Sequence, residues 1–422
     1  MNVLRLLRVF STNIYVLLAV LFAVQVGLAI LGSSTEKDAV GDVLNVYQPW
    51  AEALHPAGKW LGLGQPWVYP FLAWLPILAT KAIWFVDYLN AWMCLAGALN
   101  IVAVGQLVRW GRRRSAFAAA WYFVAFLALL GPVAITRLDG ISVSLALLAI
   151  ASIATVTVEV AGVSSKVEAL NTNRAIVWLM VATWVKVWPA ALILALLQKG
   201  RLLRGQLKYL GISLGVILAV SVLLAANQNL FSFVTFQSSR GLQIESPIAT
   251  IWLWLAHFGV GSSLVYFDLE LVTYQVAGVM APQIAALMTS AMLLAIGITA
   301  WLFWKGRQAA ANPRHLAALT ALTATLDLIV FNKVGSPQYQ LWLVAAVVMG
   351  LVFGVPRWAV PTVVTLVLAG LTQAIYPLFY DQLVALQLGP LTLLTLRNIG
   401  LIYLLVWANL RLGALSKAPK NG

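Results

Sequence analysis

The chain has 422 residues, of which 62% are hydrophobic and only 9% are Asp, Glu, Lys or Arg, with a formal net charge of +14. So apolar a composition excludes a water-soluble globular enzyme, and with no soluble basic domain the positive charge does not indicate nucleic-acid binding. The lone Cys94 excludes a disulfide framework and a thiolate metal site, His55, His257 and His315 are scattered, and no phosphate-binding loop of the ATPase type is present.

Apolar runs long enough to cross a hydrocarbon core of roughly 30 Å recur along the chain, so the expected fold is an all-α polytopic membrane bundle in a single domain, 1–422. Arg5 and Arg8 precede a first span at 11–31 that lacks a small-residue cleavage site and reads as retained. The outer loop, 32–83, contains Gly41–Leu54, whose helical apolar spacing predicts an amphipathic helix on the membrane surface. The 13-residue run Val68–Thr80 follows, too short and Pro-rich to cross, and is expected to lie in the outer interface. Trp84–Val108 returns to the basic cluster Arg109, Arg112, Arg113 and Arg114, and Ala116–Thr136 and Ile141–Val163 run out and back, leaving Arg137 and Asp139 in a tight outer turn. Ala175–Gln198 carries Lys186 and Pro189 at its middle and ends in Lys199, Arg201, Arg204 and Lys208, which predicts a broken re-entrant hairpin with Lys186 at its tip; a plain kinked span with a snorkelling lysine is the alternative. Lys208–Ala226, Gln283–Trp304, His315–Asn332, Leu341–Gly354, Trp358–Phe379 and Thr392–Leu410 complete about ten crossings, with both termini cytoplasmic.

In this arrangement 19 of the 27 Lys and Arg are cytoplasmic and two, Lys186 and Arg397, are intramembrane, the expected positive-inside bias. Ten of the 13 acids fall outside: Glu36, Asp38, Asp42, Glu52, Asp87, Asp139, Glu245, Asp268, Glu270 and Asp381. Carboxylates contribute little to topology, so their bias calls for its own explanation. Three further outer segments carry cations: Arg137-Leu-Asp139, Ser239-Arg240-Gly-Leu-Gln243-Ile-Glu245, and Asn332-Lys333-Val-Gly-Ser336-Pro337-Gln338-Tyr339. Each cation alone is more often a snorkelling anchor; together, with Lys186, they suit a phosphate whose lipid tail stays in the bilayer.

The order of these features resembles the GT-C glycosyltransferases: an early loop Asp followed by Tyr47, then Tyr69-Pro70, a mid-membrane Lys186 before Pro189, and a late Asn-Lys-x-x-Ser-Pro-Gln-Tyr. The similarity is greatest to the actinobacterial glycosyltransferase family 87 type, which includes polyprenyl-phosphate-mannose-dependent alpha-mannosyltransferases of cell-envelope lipoglycan biosynthesis. The resemblance implies an inverting enzyme of the plasma membrane that takes a sugar from a polyprenyl phosphate sugar on the extracytoplasmic face and passes it to a lipid-anchored glycan acceptor. It places the general base at Asp42. The candidate phosphate ligands are Arg240, Lys186, Lys333 and Arg137, and the candidate substrate contacts are Tyr47, Tyr69, Asp139, Gln243, Glu245, Gln338 and Tyr339. No cofactor is expected, and with cations to meet the phosphate no metal is required. Mannose is the favoured sugar and arabinofuranose the second. A secondary transporter or lipid flippase is the competing class; the chain shows no internal repeat, and Lys186, Asp327 and Arg397 are its candidate deep charges.

Overall fold

The computed structural model describes residues 11–34, 39–53, 61–62, 64–159, 166–224, 229–235, 240–269 and 271–417. Glu36, Asp38, Lys37, Lys59, Ser239 and Glu270 of the expected outer face lie outside the described residues, as do Arg5 and Arg8.

Six helices are long and apolar enough to cross a membrane: Ile14–Ser34, Tyr88–Leu107, Gly200–Leu223, Ala281–Gln308, Ala359–Leu378 and Leu388–Ser416. Shorter apolar helices include Leu138–Ser152, Asn173–Val185 and Pro337–Phe353. The protein is a mostly helical membrane protein, and the two kinds of helix divide its labour. Leu138–Ser152, Pro313–Val330 and Trp342–Phe353 are buried along almost their whole length and form the centre of the bundle. Gly200–Leu223 buries only Gln206, Ile217 and Ser221, and Ala281–Gln308 also leaves most of its apolar surface exposed; such surface is stable only against lipid. Leu138–Ser152 packs against Asn173–Val185 and Tyr88–Leu107, while Pro313–Val330 packs against Leu388–Ser416, Trp342–Phe353 and Ala190–Leu196. A buried polar chain ties three helices together: Ser144 donates to Asn100 Oδ1 (2.6 Å) and Asn100 donates to Gln25 Oε1 (2.9 Å). With no hydrophobic driving force between helices in lipid, such bonds help specify packing.

Several expected spans are reshaped. Ile141–Val163 is not one helix: Leu138–Ser152 ends at Ile153, and Ala154–Glu159 (β1) pairs antiparallel with Lys166–Asn171 (β2). The alternating run Thr155-Val-Thr-Val is apolar enough to extend a hydropathy window, yet its β-branched residues favour a strand. The all-α expectation is thus adjusted here and in a second sheet, β3 (Leu242–Gln243), β5 (Thr273–Ala277) and β4 (Leu264–Asp268), in that order. Ala116–Thr136 breaks into Phe117–Leu130 and Val133–Thr136 around Gly131-Pro132. Trp84–Val108 begins only at Tyr88, because Asp87 caps the helix by accepting from Asn90 N–H (3.0 Å), and that bond, with a second from the Asn90 amide, holds its carboxyl below the ordinary range. The expected surface helix 41–54 is a π-turn, Val43–Tyr47, continued by Gln48–Glu52.

The segment around Lys186 is broken: Asn173–Val185 stops at Lys186 and Ala190–Leu196 starts after Pro189. Both ends of this segment meet one side chain. The Gln206 amide nitrogen donates to Leu196 O (2.7 Å) and also to Thr172 Oγ1, so residues 172 and 196 are brought together.

Candidate functional site

The break between Val133–Thr136 and Leu138–Ser152 sets the first two charged groups. Gly140 packs against the Ala134 carbonyl where a Cβ would clash, and this close approach permits the sharp turn at Arg137. Arg137 and Asp139 sit in a tight turn, as expected, but are buried there, at 6% and 1% exposed. Their side chains serve two different partners. Arg137 forms an ion pair with Asp42 and also donates to the Tyr376 hydroxyl (3.3 Å), while Asp139 pairs with Lys186 (3.2 Å) and accepts from Trp342 Nε1 (2.7 Å).

Aromatic rings wall both pairs. The Lys186 ammonium lies 4.6 Å from the Tyr69 ring centroid, and Tyr339 stacks on Trp342 at 4.1 Å. Trp188, within the break, also stacks on Trp342 and donates to Ser142 Oγ (2.8 Å), which anchors the Lys186 turn to the Leu138–Ser152 helix. Tyr47 lies beside the Asp42–Arg137 pair: its hydroxyl donates to Asp42 at 3.5 Å and accepts from Leu138 N–H at 3.4 Å, both long contacts.

The third segment enters through backbone pairing. Gln243 N–H donates to Lys333 O (2.9 Å), and Gly335 N–H donates to Gln243 Oε1 (2.8 Å). Gly335 presses on the Glu245–Ser246 backbone where any side chain would collide, so only glycine allows the 333–336 loop to dock there. Gln243 thus holds the loop that carries Lys333. Glu245 is buried, as is Arg397; the two form an ion pair (3.0 Å), and Arg397 also donates to Asn398 Oδ1 and to the Glu245 carbonyl. Arg240 is half-buried, and its Nε is buried without a hydrogen-bond partner. It lies within electrostatic reach of Lys333 and Tyr339. Burial, and then the charge of Arg240, pushes the Lys333 ammonium below its ordinary pKa. Gln338 is half-buried in the Pro337–Leu341 turn, one residue before Tyr339.

All twelve residues singled out from the sequence are among the described ones, and eleven of them, all but Gln338, are joined by contacts or electrostatic neighbours into one cluster. Asp42 reaches Arg137, which lies within electrostatic reach of Glu245; the Glu245 backbone meets Gly335 of the Lys333 loop; Lys333 neighbours Arg240, then Tyr339, then Lys186 and Asp139. Among the described residues the cluster gathers five cations, Arg137, Lys186, Arg240, Lys333 and Arg397, with the carboxylates Asp42, Asp139 and Glu245, and such a concentration of positive charge favours an anion. The carboxylates also differ in access: the Asp42 side chain is 32% exposed, those of Asp139 and Glu245 1% each.

Trp342, Tyr376 and Trp188 were not anticipated, and Arg397 was read only as a deep charge. An Arg inside an apolar span demands a buried acid, which pointed to a partner without naming Glu245. Trp342 follows Tyr339 by three residues, the spacing of one helical face. Asp327 is buried with the Thr299 hydroxyl (2.6 Å) and is separate from the cluster. Among the described residues no group of three His, Cys, Asp or Glu converges as metal ligands would.

Compared with protein-family models, with curated proteins and with solved structures, the chain gives no match.

Proposed function

We propose that this protein is an inverting glycosyltransferase of the GT-C kind, which moves a mannosyl residue from a polyprenyl phosphate sugar to a lipid-linked glycan on the extracytoplasmic face of the plasma membrane. The observation that carries the reading is an accessible carboxylate, Asp42, set beside a cluster in which, among the described residues, Arg137, Lys186, Arg240 and Lys333 come together. Glycosyl transfer needs both. The acceptor oxygen attacks the anomeric carbon, its proton passes to Asp42, and the bond from that carbon to the phosphate oxygen breaks with its electron pair leaving on the polyprenyl phosphate. Proton acceptance contributes about 10² to 10⁴ in rate. Charge growing on the phosphate is met by cations already in place.

The roles divide by neighbours. Arg137 is paired with Asp42 and orients that carboxylate toward the acceptor, and Lys186 is paired with Asp139. Arg240, with Lys333 beside it, is the first ligand of the donor phosphate, since a planar guanidinium matches phosphate oxygens two at a time. Tyr69, Tyr339 and Gln338 are assigned to the sugar. In this reading about ten crossings place the cluster outside, both termini are cytoplasmic, and 173–196 is a re-entrant hairpin whose tip carries Lys186; the shared contact of Thr172 and Leu196 with Gln206 supports the hairpin.

The test is transfer to a defined glycan acceptor by purified protein in liposomes, from a panel of polyprenyl phosphate sugars including mannose and arabinofuranose. Transfer of mannose is expected. Arg240→Gln should weaken donor dependence at least about tenfold, the loss of one charge-assisted hydrogen bond, and Arg240→Lys should recover only part. Unchanged donor dependence would remove Arg240 from the phosphate site. No transfer from any donor, with measurable lipid translocation, would favour a flippase.

A further inference from the structure

At the opposite end of the bundle, the Tyr88–Leu107 helix ends in a turn in which Arg109 (φ 48°), Trp110 (φ 50°) and Gly111 (φ 92°) are all left-handed. Two side-chain-bearing residues in that region are costly, and such strain persists only where surrounding contacts impose it. Here Trp110 N–H bonds Gly105 O (2.7 Å), Arg113 N–H bonds Val108 O (2.9 Å), and the Trp110 ring packs over Gly105. The turn gathers Arg109, Arg112 and Arg113 around one cleft of about 940 Å³, whose other wall is Ile153, Ala154 and Thr155 at the start of β1. That is the size of a small-molecule site.

Among the described residues none of the three arginines is in an ion pair, and the neighbouring Glu168 is taken by Arg314 (2.6 Å). Burial lowers the pKa of Arg113, as do Arg109 and Arg314. A basic collar that served only to orient the chain in the membrane would act by charge count alone and would need neither a strained turn nor a cleft. We propose that this cleft binds a phosphate group, carried either on the headgroup of an anionic phospholipid or on a soluble phosphodiester, with the guanidinium forks of Arg109, Arg112 and Arg113 as its ligands. Trp110, half-exposed beside the cleft at the end of an apolar helix, has the position of an interfacial anchor, which favours the lipid source.

The experiment uses the full chain in phosphatidylcholine nanodiscs. Binding is read from the thermal midpoint as phosphatidylglycerol is added to the disc, and separately as soluble glycerophosphoglycerol is added to the buffer. A rise with the lipid alone identifies the headgroup, and a rise with both identifies the phosphodiester itself. The triple replacement of Arg109, Arg112 and Arg113 by Gln should weaken the response at least about tenfold, and Arg357→Gln, on an exposed residue outside the cleft, should leave it unchanged. Triple replacement by Lys keeps the charge, guards against misfolding of the Gln variant, and should give an intermediate loss because the planar forks are gone. No response to either phosphate source, or a Lys variant that binds like the original chain, would overturn the proposal.

Discussion

Asp42 and Lys333 show how a side chain acquires a role from its neighbours. Asp42 is the most open carboxylate of the cluster and is held by Arg137, so Asp42→Asn keeps volume and polarity while removing the proton acceptor. Transfer should fall at least about 10²-fold with membrane insertion unchanged, checked by single-turnover transfer together with the thermal midpoint. Lys333 supplies a pH prediction. Its pKa is lowered by burial and by Arg240, so it loses its charge at a lower pH than an ordinary lysine, and the donor KM should rise on the alkaline side as that charge disappears. Arg240→Gln removes the repulsion, so the alkaline rise in KM should move to higher pH, superposed on the weaker binding. A rise at the same pH in both proteins would show that Lys333 does not titrate in donor binding.

Short connecting elements, more than the long helices, position the cluster. The 333–336 loop is fixed by Gln243 and by the backbone contact at Gly335, and the 240–245 segment is fixed in turn by Glu245 and Arg397. A buried ion pair contributes little net stability against an apolar pair, but removing one partner strands the other charge. Glu245→Gln should therefore destabilise by about 3 kcal/mol. Adding Arg397→Met should restore much of that loss, because the stranded guanidinium is removed. The check is chemical denaturation in detergent; equal stability of the single and double variants would show that the pair is not coupled. Since the pair also seats the Lys333 loop, the double variant should remain weaker in donor binding even where stability returns.

Across the molecule, charge separates by end. The cluster of Asp42, Arg137, Asp139, Lys186, Arg240 and Lys333 occupies one region, while Arg109, Arg113, Arg314 and the β1–β2 hairpin meet elsewhere through Glu168 and mutual repulsion. The expected orientation is checked with single cysteines on a Cys94→Ala background and an impermeant thiol reagent applied from outside. Cysteine at the exposed Asn45 or Gln387 should react, and at Arg201 or Gln308 should not. Asp139 and Gln243 are unsuitable probes because both are buried. Reaction at Arg201 from outside would replace the hairpin by a single crossing.

Hydropathy and charge were enough to read a helical membrane protein, the break at Lys186-Pro189, and the set of polar residues that turn out to share one cluster, because the cost of ionisable groups in lipid leaves a strong one-dimensional record. They also misplaced the end of the Leu138–Ser152 helix, since mean hydropathy does not distinguish the Thr-Val alternation of β1 from a span. Pairing was beyond them. That Asp42 is held by Arg137, Asp139 by Lys186 and Glu245 by Arg397 depends on contacts between residues 47 to 152 positions apart, and on glycines whose only signal is the backbone they touch. Every cation in a row of similar ones carries the same charge in the sequence; only packing pairs Arg137 with Asp42 and Lys186 with Asp139 and sets Arg240 beside Lys333.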